Sequence, residues 1–217
     1  MQAQWVWIVL AVLLGLGYPI GLVLNRRLGQ QAYRAWHHGL RTVVGPQVQG
    51  RWLGSASTGA RLQVTRPQPP FRAFEVAFLL QTRELWPLWL VNRLRGRGDE
   101  LVLRASLRHG VPVEWEIGPQ RSARPPQDGF VPVQGLALPA GWRAWARPGG
   151  GDPPRPDWQP LLRAYGPWLR GVSLRRGEPH LIVRLNLAAA RTPDDAAALL
   201  RTLAGLWSAD AASGAAS

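Results

Sequence analysis

Residues Trp5 to Leu24 read WVWIVLAVLLGLGYPIGLVL, a run without a single charge. At ~1.5 Å of rise per residue, a helix over it is about 30 Å long, the thickness of a bilayer core. Trp5 and Trp7 stand at one end, where indole favours the interface. Asn25, Arg26 and Arg27 close the other end. Gly15, Gly17, Pro19 and Gly21 would weaken a helix in water but are tolerated in membrane helices. A cleaved signal peptide needs a basic leader and a small-x-small site. Met1 to Gln4 carries no basic side chain, and Leu22-Val23-Leu24-Asn25 offers no such site. A buried core helix of this length would have a polar face, and the run has none. The run therefore predicts a transmembrane anchor over 1–24; its glycine-rich face could also pack on another helix, but a membrane helix with glycines need not dimerise. Arg26, Arg27, Arg34 and Arg41 follow the run, and no basic side chain precedes it. The positive-inside rule then predicts a single-pass protein of the cell membrane, N-terminus outside and C-terminal domain cytoplasmic.

Charge sets the second constraint. The chain has 26 basic residues against 13 acidic ones, a formal net charge of +13, and every base is Arg. A GC-rich codon bias explains the choice of Arg over Lys but not the excess. That excess favours anionic partners: phospholipid headgroups, nucleic acid or an acidic protein. Cysteine is absent, which excludes disulfides, zinc–thiolate sites, iron–sulfur clusters and cysteine nucleophiles. The residues beyond the anchor suffice for one domain of ordinary size.

Residues 25–45 read as a juxtamembrane helix, with Leu28, Tyr33, Trp36, Leu40 and Val44 near helical spacing and Gly45-Pro46 as the stop. Period-2 alternation predicts strands over Ala60–Arg66, Phe71–Gln81, Leu101–Arg108 and Val113–Ile117. Shorter strands are expected at Phe130–Gln134 and Trp142–Arg147. Asp157–Arg170 reads as a helix flawed by Pro167, and Val172–Arg176 with His180–Leu187 as a hairpin. Thr192-Pro193-Asp194-Asp195 opens a last helix with an N-cap hydroxyl, a first-turn proline and two acids facing the dipole.

The expected fold is α+β: a single N-terminal transmembrane helix, then a soluble domain with a mainly antiparallel sheet and a C-terminal helix-hairpin-helix. The soluble domain covers 46–208, with a Pro/Gly-rich link at 148–156 that would split two subdomains, and 209–217 form a disordered tail. From Trp142-Arg143-Ala144-Trp145-Ala146 through Leu161-Leu162, Val172-Ser173-Leu174 and His180-Leu181-Ile182-Val183, the C-terminal third resembles a pattern in bacterial membrane-anchored proteins. That resemblance implies one or two membrane helices before an α+β domain of unknown function and transfers no site residues.

No catalytic constellation emerges. HExxH, GxxxxGK and GxSxG are all absent. His37 and His38 point to different helix faces, His109 begins a turn and His180 opens a strand, so each reads as an ordinary polar residue and no metal site is expected. Glu114 and Glu116 share a strand face, where they could serve acid–base work or simply face solvent opposite a buried Trp115. No cofactor is expected.

The positive signal lies in the arginine clusters Arg26/Arg27, Arg93/Arg95/Arg97, Arg121/Arg124 and Arg175/Arg176. No nucleic-acid recognition motif accompanies them, which argues against that partner. The stretch RELWPLWLVNRLRGR, Arg83 to Arg97, joins Trp86, Trp89 and several leucines to a basic end, as an interfacial helix requires; a core helix packed on the sheet is the competing reading. The site residues expected to meet membrane or anion are Arg26, Arg27, Trp86, Trp89, Arg93, Arg95 and Arg97. Together these features predict a membrane-tethered, non-enzymatic interaction or scaffold protein with a basic cytoplasmic domain. Its partners would be anionic lipid headgroups and a protein in the membrane. The alternative is a membrane-associated enzyme or nucleic-acid binder; a buried pocket lined by Glu114, Glu116 or His180 would favour the enzyme.

Overall fold

Alternating patterns bury one face of the central strands. On β3 (Phe71–Leu79) the side chains of Phe74, Val76 and Phe78 are at most 1% exposed, while those between them are half-buried. The same holds for β2 (Gly59–Val64) and β4 (Glu100–Leu107), so their apolar faces add to one another across the register Leu62↔Val76↔Leu103. The computed structural model describes residues 2–111, 113–120, 129–147 and 156–213, with side-chain environments for all of these except 2–14, 16 and 208–213.

The remaining strands are β1 (Val48–Trp52), β5 (Glu114–Pro119), β6 (Val131–Pro132), β7 (Trp142–Arg147), β8 (Leu169–Leu174) and β9 (Leu181–Asn186). Among the described residues they join one antiparallel sheet of nine strands in the order β1-β2-β3-β4-β9-β8-β5-β7-β6. The α+β reading holds. Sequence patterning missed β1, whose exposed side chains do not alternate. It also could not show that the C-terminal hairpin β8–β9 inserts between β4 and β5, so that segments before and after 148–156 share one sheet. Apart from Pro156, that link lies outside the described residues, as do Arg121 and Arg124.

Four α-helices accompany the sheet: α1 (Gln2–Val43), α2 (Trp86–Leu94), α3 (Gln159–Tyr165) and α4 (Pro193–Ser213). The C-terminal half of α1 lies with α4 over the apolar sheet face. Trp36 and Leu40, fully buried on α1, join Leu199, Leu200 and Leu203 of α4 in the core, each contributing roughly 1.5–3 kcal/mol through burial. The two helices approach closely because Gly39 faces Ala196, where a Cβ would lie 2.9 Å from the alanine methyl. At the start of α4 the Thr192 hydroxyl accepts the Asp195 N–H and the Asp195 carboxylate accepts the Thr192 N–H, both at 3.2 Å, a reciprocal cap.

The expected membrane anchor is overturned. Among the described residues no helix is long and apolar enough to cross a membrane. The helix does not stop at residue 24: α1 runs unbroken over 42 residues, Gln2–Val43, and its second half is packed as domain core. Asn25, expected to mark the membrane boundary, is fully buried and donates to the Gln81 carbonyl at 2.9 Å. Gly17 and Gly21 lie against protein, the indole of Trp86 and the backbone of Arg83–Glu84. The single-pass placement, with the N-terminus outside and the domain cytoplasmic, depended on that span and falls with it.

Candidate functional site

α2 owes its helix to a proline at the start and leucine-rich residues after it, yet it has no side-chain cap and buries no residue. Its apolar positions, from Leu85 to Leu94, run around most of the helix, so one neighbour cannot cover them. That neighbour is α1. Trp86 packs on Gly17, where a Cβ would come within 2.5 Å of the indole, and the chain entering α2 runs directly over Gly21. Gly17 and Gly21 of α1 thus make room for the start of α2 and for the chain that enters it.

A polar network fixes this junction. Arg83 donates to the Asn25 side-chain oxygen at 2.5 Å and to Asp99 at 2.6 Å, and Asp99 also accepts the Gln81 N–H at 2.9 Å. Arg83 and Asp99 are 15% and 17% exposed, so removing either partner would leave the other largely buried without its ion-pair partner. The network ties the two ends of the α2 segment to the middle of α1.

The result is a platform of exposed apolar side chains. Tyr18, Ile20, Val23 and Leu24 on α1 are between 47% and 58% exposed, and Leu85, Leu88 and Leu94 on α2 are 52%, 53% and 79% exposed. Most of the exposed large apolar side chains among the described residues lie on these two helices. Contiguous apolar surface rimmed by polar groups marks an interaction site. Of the sequence-predicted site residues, Trp86 and Trp89 are half-buried, whereas Arg26, Arg27, Arg93, Arg95 and Arg97 are exposed. The Arg93 guanidinium lies 5.7 Å from the centre of the Trp89 ring, a cation–π contact. Trp86 and Trp89 stand in the first turn of α2 and Arg93, Arg95 and Arg97 at and beyond its last turn, while Arg26 and Arg27 follow the exposed part of α1.

Of the residues that would have favoured an enzyme, Glu114 and His180 are buried and hydrogen-bonded, and Glu116 is part-exposed and ion-paired. Glu114 accepts from Arg147 at 3.3 Å and from the Arg176 N–H at 3.1 Å, and Glu116 accepts from Arg175 at 2.8 Å. His180 is buried, with Nδ1 accepting the Leu107 N–H at 2.8 Å. Among the described residues no three His, Cys, Asp or Glu side chains gather as metal ligands do. The chain matches no protein-family model, and a search of curated proteins finds no match either.

Proposed function

We propose that the protein is a non-enzymatic docking module that binds an anionic lipid surface from outside, through the platform of α1 and α2. The observation that carries this is the combination on α2: exposed leucines, two indoles at half-depth, and Arg93, Arg95 and Arg97 exposed at its end. An interfacial helix inserts its apolar side chains shallowly and leaves its basic residues at the headgroups. Near an anionic surface each such arginine contributes roughly 1 kcal/mol, and indole favours the same depth. Arg26 and Arg27 would add to the attraction beside the exposed part of α1. The +13 charge steers the whole molecule to such a surface.

Co-sedimentation of the full chain with liposomes tests this. Vesicles containing phosphatidylserine should bind the protein, and purely zwitterionic vesicles should bind it weakly. Leu88→Glu/Leu94→Glu should remove binding without lowering the melting temperature, because both side chains already face solvent. Equal sedimentation of this variant and the parent on anionic vesicles would sink the proposal.

A further inference from the structure

Cross-strand neighbours on the sheet face opposite α1 and α4 form the row Arg184–Gly171–Gly118–Arg143. Arg184 pairs with Gly171 and Gly118 with Arg143 in register, and a Cβ on Gly118 would lie 4.0 Å from the Gly171 Cα. Two adjacent strands thus present no side chain at this level, and an arginine stands on either side. At a strand spacing of ~4.8 Å the two arginine Cα atoms are about 14 Å apart, within reach of one small ligand between them. The gap opens into a cleft of about 260 Å³.

The charge in this cleft is not balanced. An irregularity between Leu169 and Gly171 sets Arg170 out of the ladder, as bulges do when they re-aim a side chain. Arg170 lines the cleft and donates to the Gly96 carbonyl at 3.3 Å, on the turn that ends the α2 segment. Arg175 also lines it, held by Glu116 at 2.8 Å and by the Ser173 hydroxyl at 3.0 Å. Glu116 is the one carboxylate of the lining. Among the described residues, Arg170 and Arg184 of the lining have no carboxylate partner. A second cleft on the same face, of about 330 Å³, makes the contrast. There Arg61 and Arg104 both pair with Glu75, and Glu178 pairs with Arg72.

We propose that the cleft over Gly118 and Gly171 is a phosphate-binding site, with Arg184 and Arg170 donating to the phosphate oxygens and Ser173 beside them. Guanidinium forks match the oxygens of a phosphate group in geometry and charge. The glycine floor lets such a group reach the sheet backbone, and the absence of an aromatic side chain on that floor disfavours a stacked base. The phosphate could belong to a lipid headgroup, since Arg170 touches the end of the α2 segment, or to a soluble metabolite. The assignment does not depend on the lipid platform.

Inorganic pyrophosphate titrated into the full chain by calorimetry is the direct test. Saturable one-to-one binding is expected, weakened at least tenfold by Arg184→Ala. Gly171→Val should abolish it without loss of melting temperature, because a Cβ there meets only the Ile117 carbonyl at 3.5 Å and valine suits a strand. Leu88→Glu/Leu94→Glu should leave pyrophosphate binding intact, which separates this site from the platform. Vesicles bearing phosphatidylinositol 4-phosphate, compared with phosphatidylserine vesicles of equal charge, identify the source. A preference for the former that Gly171→Val removes assigns a headgroup, and no preference beside intact pyrophosphate binding assigns a soluble phosphate. Absence of pyrophosphate binding, or equal binding by Gly171→Val, would overturn the proposal. So would tight binding of an oligothymidylate that pyrophosphate cannot displace.

Discussion

α2 and α4 are both leucine-rich helices, and they put their leucines in opposite places. α4 begins with a reciprocal cap and carries Asp194 and Asp195 in its first turn. Its Leu199, Leu200 and Leu203 are fully buried. α2 begins without a side-chain cap, and its Leu90 and Leu94 are 43% and 79% exposed. The difference teaches that apolar content does not assign a helix to the core; the width of the apolar arc does. In α4 the leucines recur on one stripe that the sheet and α1 can cover. In α2 they surround the axis, and α1 touches only one side. The largest expected effect follows directly. Leu200→Ala should cost about 2–5 kcal/mol through lost transfer energy and a residual cavity, whereas Leu90→Ala should stay within about 0.5 kcal/mol. Urea unfolding of both variants measures this. Comparable losses would mean that α2 is a core helix after all and would end the comparison.

The junction that holds α2 on α1 gives a middle-sized effect. Asp99→Ala removes the carboxylate that accepts from Arg83 and from the Gln81 N–H, leaving a mostly buried guanidinium with Asn25 and a carbonyl for partners. An unpaired buried polar group costs about 1–3 kcal/mol. The loss should be local, because α2 contributes no buried residue to the core. Hydrogen exchange resolved by peptide should therefore accelerate across 83–97 while α4 keeps its protection. Uniform acceleration in both helices would show that the junction supports the whole domain.

This contrast also marks how far the sequence could be read. Strands β2, β3, β4 and β5 were legible because one-face burial writes a period of two into the chain. α4 was legible from Thr192, Pro193 and the two acids. β1 was not: it is an edge strand whose exposed residues, Gln49, Gly50 and Arg51 among them, carry no alternation. Insertion of β8–β9 beside β4 left no trace either, because long-range pairing depends on matched faces that any apolar strand offers. The run from Trp5 to Leu24 misled because lack of charge is not specific to a bilayer: it belongs to one unbroken helix whose second half packs in the core, and its Gly17 and Gly21 lie against the α2 segment. Asn25 was visible as a polar stop, but its burial depends on Arg83 and Gln81, distant in sequence. Among the residues of α2, Trp86, Trp89 and the arginines stood out by type. The glycine pair beneath the phosphate cleft did not, since Gly118 and Gly171 become neighbours only through β5–β8 pairing.

The smallest effect probes the packed side of the comparison from a neighbouring helix. Tyr165 ends α3 and is buried. Burial pushes its hydroxyl pKa above the ordinary tyrosine value; a hydrogen bond with Thr202 of α4 works against this, and the Asp195 carboxylate of α4 adds to the rise. The unfolded chain titrates this group near pH ~10. Above that pH the unfolded state loses the proton first, so the folded state binds more protons and stability falls as pH rises. Below pH ~10 the contribution is fully present, and it is lost as pH climbs through the folded value. The difference in unfolding free energy between Tyr165→Phe and the parent should thus be flat below that range and shift in favour of the phenylalanine variant above it. Tyr18 and Tyr33 remain in both proteins and cancel. A difference that stays flat through alkaline pH would show that the hydroxyl is not shielded and that the α3–α4 contact is looser than the burial of Tyr165 implies.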